Sequence, residues 1–571
     1  MNILDILNLR IKKILIDFFK NQNLNTANNF SNFSVELPKN EKNADISSNV
    51  AMIYSKFAFM KSLELAEILR IELLKIDFVK SIDIAGPGFL NFWFVDNTWE
   101  KQIRLILEKK ENYGKINLGK NKNINIEFVS ANPTGPLHAA HARGAILGDV
   151  LSNLLSWVGY NVIREYYIND AGVQVDVLAK STHIRYKEII EEKKYEIPSG
   201  LYPGDYLITI ANEIFKKYDK KFLDDSKENL EFIKNFTIDS ILKLIKNDLT
   251  KLEIKMDVFT SEKKLIDSGI VEKNIKDLSK KNLIYLGKLE KPKGHLSEEW
   301  KPREQRLFKS KKFGDDVDRP IEKEDGSWTY FASDLAYHMD KLNRTSGQLI
   351  NIWGTDHSGY VKRMVAAVEA ISGLHNQLDI KLCQIVNLLD NGNQIKMSKR
   401  SGNYISLNEV INAVGSDAIR FIMLTRKNDQ VLDFDFSKVT EKSHNNPVFY
   451  VQYAYARCSS VLRDNSFDLL NANFSNLNTI QEIRTIKHLV FWPNLIKSVI
   501  KFHEPHRLAF YLIELAGFFH SMWNSGKDNP DYRFIVKNEN ITRDRLALVK
   551  SVSIVLKLGL KLMNVKAPKE M

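Results

Sequence analysis

Cysteine is nearly absent from this sequence of 571 residues, which contains only Cys383 and Cys458. Two cysteines so far apart, outside any metal-ligand spacing, exclude a disulfide framework and favour the reducing cytoplasm. Long apolar runs are absent too. None approaches the roughly 20 residues that cross a bilayer, so we expect no membrane contact. In residues 1–22, charged residues interrupt every apolar run that is long enough for a signal peptide. This pattern predicts an amphipathic helix instead.

Acidic residues are too few to balance the basic ones, and the formal net charge is +12 with a pI near 9.1. Because Lys and Arg bind nucleic acids largely by neutralising phosphates, this excess favours a polyanionic partner. Much of it is lysine in a sequence also rich in Ile and Asn, so genomic base composition is an alternative explanation. The apolar and charged fractions, 44% and 27%, are those of ordinary globular proteins.

The length predicts several domains, and the sequence pattern changes along the chain. Residues 1–108 mix helical and strand-like patterns, including helical periodicity at 51–74, and predict an α+β domain. After a polar linker, residues 120–438 alternate strands and helices, with a charged, mostly helical insertion at about 178–320. Residues 439–571 are helical to the end.

Residues 124–168 have the pattern of a βαβ unit. Strands are predicted at 124–129 and 160–168, around a helix with one apolar stripe that ends at Gly159. Further strands are predicted at 348–353 and 380–389. A right-handed crossover places the first loop at the carboxyl edge of the sheet, where ligands bind in open α/β sheets.

That loop and the first helical turn contain His138, Ala139, Ala140 and His141. Two imidazoles beside the backbone donors of a helix N-terminus suit a nucleotide phosphate. The alternatives are a metal pair or two incidental histidines. A metal site needs a third ligand, and no neighbouring Glu or Cys has zinc spacing.

A second motif is the basic run Lys396, Met397, Ser398, Lys399 and Arg400, which follows the predicted strand at 380–389. Two lysines around a small Met-Ser step predict a mobile loop that neutralises a triphosphate and then opens for pyrophosphate release. The alternative is a solvated surface loop.

Together, the His-x-x-His at a first βα turn and the Lys-Met-Ser-Lys run resemble the signature pair of class I aminoacyl-tRNA synthetases. Other runs resemble the arginyl-tRNA synthetase family specifically, and the resemblance covers essentially the whole chain. These runs are residues 127–138, 166–172, 354–360, 446–453 and 567–571.

The resemblance implies a multidomain fold: an N-terminal α+β tRNA-binding domain, an α/β Rossmann-type class I catalytic domain with a helical insertion, and a C-terminal all-α anticodon-binding domain. It also implies ATP and nucleotide-bound Mg²⁺, L-arginine and arginine tRNA as partners, no other metal, and a monomer. The reaction is in-line attack of the arginine carboxylate on the α-phosphate of ATP, followed by transfer to tRNA. Family members generally bind tRNA before they form the adenylate.

Arginine-binding residues are implied at Glu127, Asn132, Tyr330 and Asp334, because a planar guanidinium accepts bidentate carboxylate pairing that the ammonium of lysine does not match. For Asp334 the alternative is a helix N-cap before residues 335–339. The implied catalytic residues are His138, His141, Lys396 and Lys399. The implied ATP-binding residues are His138, Ala140, His141, Asp356, His357, Lys396, Met397, Ser398 and Lys399.

The resemblance also implies tRNA contacts at Phe89 and Asn91 in the N-terminal domain, at Tyr450 and Tyr453 in the C-terminal helices, and at the terminal Met571. Unpaired RNA bases commonly stack on aromatic side chains. Phe89 has an alternative as a buried strand residue, and the two tyrosines have one as ordinary core residues of an amphipathic helix.

Two positions depart from the family pattern. Gly135 stands where members that lack the Lys-Met-Ser-Lys run carry a compensating lysine, so here the full loop must supply the charge. Ala140 stands where the motif has glycine, which puts the closeness of ATP approach in question. Two rival functions are a small-molecule nucleotidyltransferase, which is a much shorter chain, and a non-catalytic RNA-binding paralogue.

Overall fold

The computed structural model describes residues 2–24, 30, 32–38, 44–289, 303–395 and 405–571. Within these ranges, no helix is long and apolar enough to cross a membrane. The described residues form three regions in chain order, and their elements match the predicted α+β, α/β and all-α patterns.

The N-terminal region is built from helices and short strands: α1 (Ile3–Asn21), β1 (Val35–Glu36), β2 (Ile46–Ser48), α2 (Val50–Tyr54), α3 (Ser62–Leu73), β3 (Val79–Ala85), β4 (Phe89–Phe94) and α4 (Asn97–Lys109). The strands form an antiparallel sheet in the order β1-β2-β4-β3. Helix α1 is amphipathic, as predicted, and buries one stripe from Ile3 to Phe19. The stretch 51–74 is two helices, because Phe59 adopts a φ of 54° and because α3 starts where the Lys61 N–H donates to Glu64 Oε2 at 3.2 Å.

The central region contains β5 (Asn123–Glu127), α5 (Ala139–Trp157), β6 (Asn161–Ile168), α6 (Val173–Glu191), α7 (Tyr206–Tyr218), α8 (Lys227–Lys251), β7 (Val258–Ser261), α9 (Glu262–Asp267), α10 (Ile270–Lys280), β8 (Ile284–Gly287), β9 (Gln305–Phe308) and β10 (Arg319–Pro320). It continues with α11 (Tyr330–Thr345), β11 (Gln348–Gly354), α12 (Val361–Ser372), β12 (Leu378–Cys383), β13 (Val386–Asp390), β14 (Asn393–Gln394), α13 (Leu407–Val414), α14 (Ser416–Ile422), β15 (Leu432–Asp435) and α15 (Phe436–Thr440).

A parallel sheet in the order β12-β11-β5-β6-β7 forms the centre of this region. The chain runs from β5 outward to β7 and then returns to β11 on the other side of β5. The strand order therefore reverses between β5 and β11, and the crevice at their carboxyl ends is the ligand-binding position of a doubly wound sheet. Glu127 lies at this point, in register with Asn351 of β11 and Glu165 of β6.

Several sequence boundaries were wrong. The strand predicted at 124–129 ends at Glu127, because Val129 and Ser130 adopt φ values of 71° and 39° that leave the strand conformation. The strand predicted at 380–389 is two strands in different sheets, separated where the Gln384 N–H donates to the Asn428 carbonyl at 2.8 Å.

The predicted insertion at 178–320 is mostly helical, but it is not a single separate unit. Strand β7 belongs to the central parallel sheet, where it pairs with β6. Strands β8, β9 and β10 form a small antiparallel sheet of their own. These strands are too short to show clear alternation in the sequence.

The C-terminal region is helical and consists of α16 (Pro447–Leu462), α17 (Ile480–Phe502), α18 (His506–Asp528) and α19 (Glu539–Leu562). The N-terminal region packs on α17. Asn2 Nδ2 donates to the Val490 carbonyl at 2.7 Å, and the Tyr113 hydroxyl donates to the Leu489 carbonyl at 3.1 Å. Direct hydrogen bonds therefore join the N-terminal part of the chain to α17 of the C-terminal region.

Candidate active site

The two histidines of the motif stand at the start of α5. His138 is the N-cap residue, and its ring stacks on that of His141 with centroids 3.8 Å apart. The His138 N–H donates to Nδ1 of His141 at 3.2 Å, which leaves Nε2 of His141 to carry the proton of the neutral ring. Both rings are half-buried. Two imidazoles thus meet at a helix N-terminus on the carboxyl edge of the sheet, where the helix dipole favours an anion.

The residues after the basic loop are anchored to this motif. Leu407 N–H donates to the Leu137 carbonyl at 2.8 Å, and Ala139 N–H donates to the Ile405 carbonyl at 3.4 Å. The predicted site residues Lys396, Met397, Ser398 and Lys399 lie outside the described residues. Residues 405–407, which follow this run in the sequence, therefore lie directly beside the histidines.

Glu127, a predicted arginine-binding residue, is buried at the end of β5 and already has an internal partner. Its Oε2 accepts a hydrogen bond from Lys341 Nζ at 2.9 Å, and its Oε1 accepts one from Ser130 Oγ at 3.1 Å. Lys341 is fully buried and also donates to Asn351 Oδ1 at 2.8 Å. A buried charge of either sign is destabilising without its partner. Lys341 therefore neutralises Glu127 before any ligand enters.

Asp334 lies in the second turn of α11. The N-cap of this helix is Thr329, whose side chain accepts from Ala332 N–H, so the alternative that Asp334 caps a helix starting at residue 335 is wrong. Asp334 Oδ2 accepts a hydrogen bond from the Tyr360 hydroxyl at 2.6 Å. Burial raises the pKa of Asp334 to about 6; the Tyr360 hydrogen bond opposes this rise, and the Glu127 carboxylate adds to it.

A further carboxyl group, missed in the sequence, belongs to Glu262, the first residue of α9. It is buried, and burial together with the nearby Asp334 and Asp170 carboxylates raises its pKa to about 7, while a hydrogen bond from Tyr167 opposes the rise. In the sequence, a glutamate after the N-cap Ser261 has the ordinary pattern of a helix start. Only the fold brings it opposite Asp334.

Tyr167 hydrogen-bonds Glu262 and lies near the other acidic groups. Its pKa is raised, first by burial and then by the carboxylates of Glu262, Asp334, Glu127 and Asp170. Its ring packs against that of Tyr337, with centroids 4.3 Å apart. Carboxyl groups with raised pKa values beside a pair of aromatic rings are an arrangement that a bound cation would stabilise in its ionised form.

Other predicted residues lie at the rim of this site. Tyr330 is 70% exposed, and its hydroxyl lies beside Gly172. Asn132 is exposed, and its Nδ2 donates to Gln174 Oε1 at 2.9 Å. Asp356 and His357 follow β11 as an exposed pair, with His357 Nε2 3.5 Å from Asp356 Oδ2.

The two departures from the motif pattern have different surroundings. A side chain at Gly135 would meet the Tyr206 ring at 3.3 Å, and the Tyr206 hydroxyl donates to the Thr134 carbonyl at 2.6 Å. This packing leaves little room for a lysine. Ala140 is half-buried in the first turn of α5.

The predicted tRNA contacts of the N-terminal region differ in exposure. Phe89 is half-buried at the first position of β4, next to a tight turn. Asn91 is buried, and its Oδ1 accepts a hydrogen bond from Ser47 Oγ. Contact between Asn91 and a base therefore requires exchange of that hydrogen bond.

Tyr450 and Tyr453 are half-buried on α16 and line a cleft of about 650 Å³ in the C-terminal region. The Arg457 guanidinium lies 4.1 Å from the centre of the Tyr453 ring and donates to the Tyr453 hydroxyl at 2.9 Å. His520 Nε2 is 3.2 Å from the Tyr450 carbonyl oxygen. Aromatic rings beside cations are the groups on which unpaired bases stack. Met571 is 54% exposed at the chain end.

Three family models match successive parts of the chain: "Arginyl tRNA synthetase N terminal domain" at 5–94, "tRNA synthetases class I (R), catalytic domain" at 102–445 and "DALR anticodon binding domain" at 451–571. The chain is 48% identical to an arginine–tRNA ligase of Wolbachia sp. subsp. Brugia malayi, over 95% of each protein. It is 46% identical to one of Brucella suis, over 100% of each. The Thermus thermophilus arginyl-tRNA synthetase has a similar fold, with a TM-score of 0.75 at 18% identity over 99% of this chain and 100% of that one.

Proposed function

The chain belongs to the arginyl-tRNA synthetase family, so it activates arginine with ATP and transfers it to tRNA. We propose the following roles for its residues in this reaction. One observation carries the assignment: Glu127, Asp170 and Glu262 stand at or directly after the carboxyl ends of β5, β6 and β7, on the same edge of the central sheet as His138 and His141. This edge is where a doubly wound sheet binds its ligands.

Arginine recognition is assigned to Asp334 and Glu262, which pair with the guanidinium. Both carboxyl groups have raised pKa values in the free protein, to about 6 and about 7, so an incoming cation stabilises their ionised forms. A planar guanidinium offers several N–H donors to two carboxylates, whereas an ammonium acts as a single point charge. Paired carboxylates thus favour arginine over lysine without a separate hydrolytic editing step.

Glu127 acts in this scheme together with Lys341. Glu127 remains a proposed arginine-binding residue, with its Oε2 held by the Lys341 ammonium and its Oε1 accepting from Ser130. Asn132 and Tyr330, both exposed at the rim, bind the polar end and the stem of the substrate.

ATP is assigned to His138, Ala140 and His141, to Asp356 and His357, and to the loop residues Lys396, Met397, Ser398 and Lys399. An oxygen of the arginine carboxylate attacks the α-phosphorus, the bond from that phosphorus to the bridging oxygen breaks, and pyrophosphate leaves. His141, whose Nδ1 accepts from the His138 N–H, is assigned to stabilise the developing negative charge, and the lysines supply positive charge. His138, His141, Lys396 and Lys399 are therefore the proposed catalytic residues.

Magnesium is proposed as the counter-ion of the nucleotide. The groups at the described start of α5 are imidazole rings and backbone N–H groups, which suit anions, whereas Mg²⁺ prefers oxygen ligands. The phosphate oxygens would therefore hold the ion. When bound, it supplies positive charge to the phosphates.

For tRNA, we assign anticodon contact to the cleft with Tyr450 and Tyr453, supported by its aromatic rings and by Arg457. Phe89, Asn91 and Met571 are further proposed contacts. The proposed domain limits are 1–108, 120–438 and 439–571, with a monomer as the working unit. A cytoplasmic location is proposed because both cysteines are free thiols and because charged tRNA is used there.

The direct test is tRNA charging with labelled arginine, with lysine as the control amino acid. Charging that needs ATP and arginine supports the function, and charging with lysine alone contradicts it. Without tRNA, we expect negligible arginine-dependent exchange of pyrophosphate into ATP. Robust exchange by the protein alone would contradict that order of binding.

A further inference from the structure

A fully buried arginine, Arg420 of α14, joins three parts of the chain. Its Nε donates to the carbonyl of Met563 at 2.7 Å and its NH1 donates to the carbonyl of Leu252 at 2.5 Å. Its NH2 donates to Oδ2 of Asp149. Met563 follows α19, Leu252 follows α8 and Asp149 belongs to α5. One guanidinium therefore binds the ends of two helices and the side of a third.

These contacts are those that a guanidinium makes best. The last carbonyls of a helix have no partner within the helix and carry the negative end of its dipole, so they favour a cation. Arg420 satisfies such a carbonyl at the ends of both α8 and α19 and pairs its charge with Asp149, which is 2% exposed. Lysine has a single nitrogen and cannot hold three acceptors in this planar arrangement.

Asp149 extends the junction along α5, the helix that starts with the two motif histidines. Its Oδ2 also accepts from Asn564 Nδ2 at 3.2 Å, directly after α19. One turn later, Asn153 Nδ2 donates to the Leu562 carbonyl at 3.2 Å. Since Asp149 is three turns, about 16 Å, along the same helix from His138, the position of α5 is fixed by the end of α19.

The same α19 also packs against α16, which carries Tyr450 and Tyr453. Helix α14 makes a second contact close to that of Arg420. Asp417 of α14 accepts from Lys566 N–H at 3.2 Å and from Gln452 Nε2 of α16 at 3.1 Å. Packed elements and hydrogen bonds thus run without a break from the cleft of the C-terminal region through α19 and Arg420 to α5.

We propose that Arg420 is a positioning residue that couples occupation of the anticodon cleft to the placement of His138 and His141. It touches neither substrate and acts only through α5 and α19. The inference rests on the proposed function, because it takes the C-terminal cleft to bind the anticodon and the histidines to bind ATP. A tRNA that fills the cleft shifts the end of α19, and Arg420 transmits this shift to α5 through Asp149.

The test compares Arg420→Lys with the wild-type full-length enzyme on two transcripts, one intact arginine tRNA and one with a replaced anticodon. In the wild type, kcat should be higher with the intact transcript, by about 5- to 150-fold for an ordinary coupling free energy. In Arg420→Lys, kcat on the intact transcript should fall to near the value on the replaced one. KM for tRNA should change little, because the cleft itself is untouched.

Arg545→Lys is the matched control. Arg545 is also buried and also binds one carboxylate, Glu482 at 2.9 Å, and two carbonyls, those of Asp531 and Arg533, but all of them lie within the C-terminal region. The Arg545→Lys variant should have a lower thermal stability than the wild type but the same ratio of kcat values on the two transcripts. Where Arg420→Lys does not fold, Asp149→Asn removes the charge at nearly constant shape and should give the same loss of ratio.

Three results would overturn the proposal. The first is a lowered melting temperature in Arg420→Lys with an unchanged kcat ratio, and the second is an equal loss of ratio in Arg545→Lys. The third is a wild-type kcat that is the same on the intact transcript and on the one with the replaced anticodon. Arginine charging by the wild type tests the proposed function separately, so failure of that function is distinguishable from failure of the coupling.

Discussion

Replacing Asp334 by asparagine should stabilise the free protein at alkaline pH while it disables the use of arginine. The carboxyl group is half-buried beside Glu127, and its pKa is raised from 3.8 to about 6. Ionising it in the free protein is therefore unfavourable. Asparagine keeps the shape and can still accept the Tyr360 hydrogen bond, but it carries no charge.

Proton linkage gives the direction in which the free energy of unfolding changes with pH. Because the folded-state pKa is raised, the contribution of Asp334 to stability is fully present below pH 4 and is lost as the pH rises through about 6. Two pKa units correspond to about 3 kcal/mol, and partial exposure reduces this to roughly 1 to 3 kcal/mol. Asp334→Asn should thus unfold with a free energy higher by this amount at pH 8 and nearly equal to the wild type at pH 4.

The same change should lower kcat/KM for arginine strongly. Loss of one partner of a desolvated charge pair is worth about 2–5 kcal/mol, or roughly 30- to 5,000-fold in rate. KM for ATP should change little. Thermal unfolding at pH 4 and pH 8, with arginine kinetics at pH 8, measures both effects on one preparation.

Asp248→Asn is the control, because burial on α8 also raises the pKa of Asp248 to about 6, and no role in substrate binding is assigned to it. It should give a similar gain of stability at pH 8 with normal arginine kinetics. The reasoning is refuted if Asp334→Asn is less stable than the wild type at both pH values and charges arginine normally. That result would make Asp334 a structural residue.

Three further predictions follow from the same site. KM for arginine should rise as the pH falls from 8 to 6, since Asp334 and Glu262 must lose protons to bind the guanidinium. The Glu262→Gln variant should lack the part of this rise near pH 7. A wild-type KM that does not change with pH would contradict the assignment. Lys399→Ala should reduce adenylate formation about 10²- to 10³-fold and tRNA binding far less, whereas an equal fall in both would indicate a nucleic-acid patch. Ala140→Gly should lower KM for ATP modestly and destabilise the helix by up to ~1 kcal/mol, and an unchanged or raised KM would show that the methyl group faces away.

The sequence alone predicted the elements that depend on local pattern. The apolar stripe of α5 and the apolar strands β5 and β6 repeat at regular spacing, so the βαβ unit and the position of His138 and His141 followed directly. Strand ends were less predictable, because the positive φ of Val129 arises from the packing of the loop and not from its residue type. Strand β7 has too few residues to show a period.

The sequence also indicated some charged groups of the pocket and missed others. Glu127 stands in a run that resembles a known family, the same resemblance implies Asp334, and both are at the carboxyl edge of the sheet. Glu262 and Lys341 have no such signal, because a glutamate at a helix start and a lysine within a helix are both common on surfaces. Only long-range contacts bring Lys341 to Glu127, 214 residues away in the chain, and these contacts decide which carboxylates remain for a substrate.

The most direct test of the central claim, that paired carboxylates at this edge select a guanidinium, is the ratio of kcat/KM for arginine and lysine in tRNA charging. The wild type should use lysine at least about 10³-fold less efficiently than arginine. In Asp334→Asn the ratio should fall, because the pairing that distinguishes the two cations is lost. A wild-type enzyme that charges lysine comparably, or an Asp334→Asn variant that keeps the full ratio, would contradict the account.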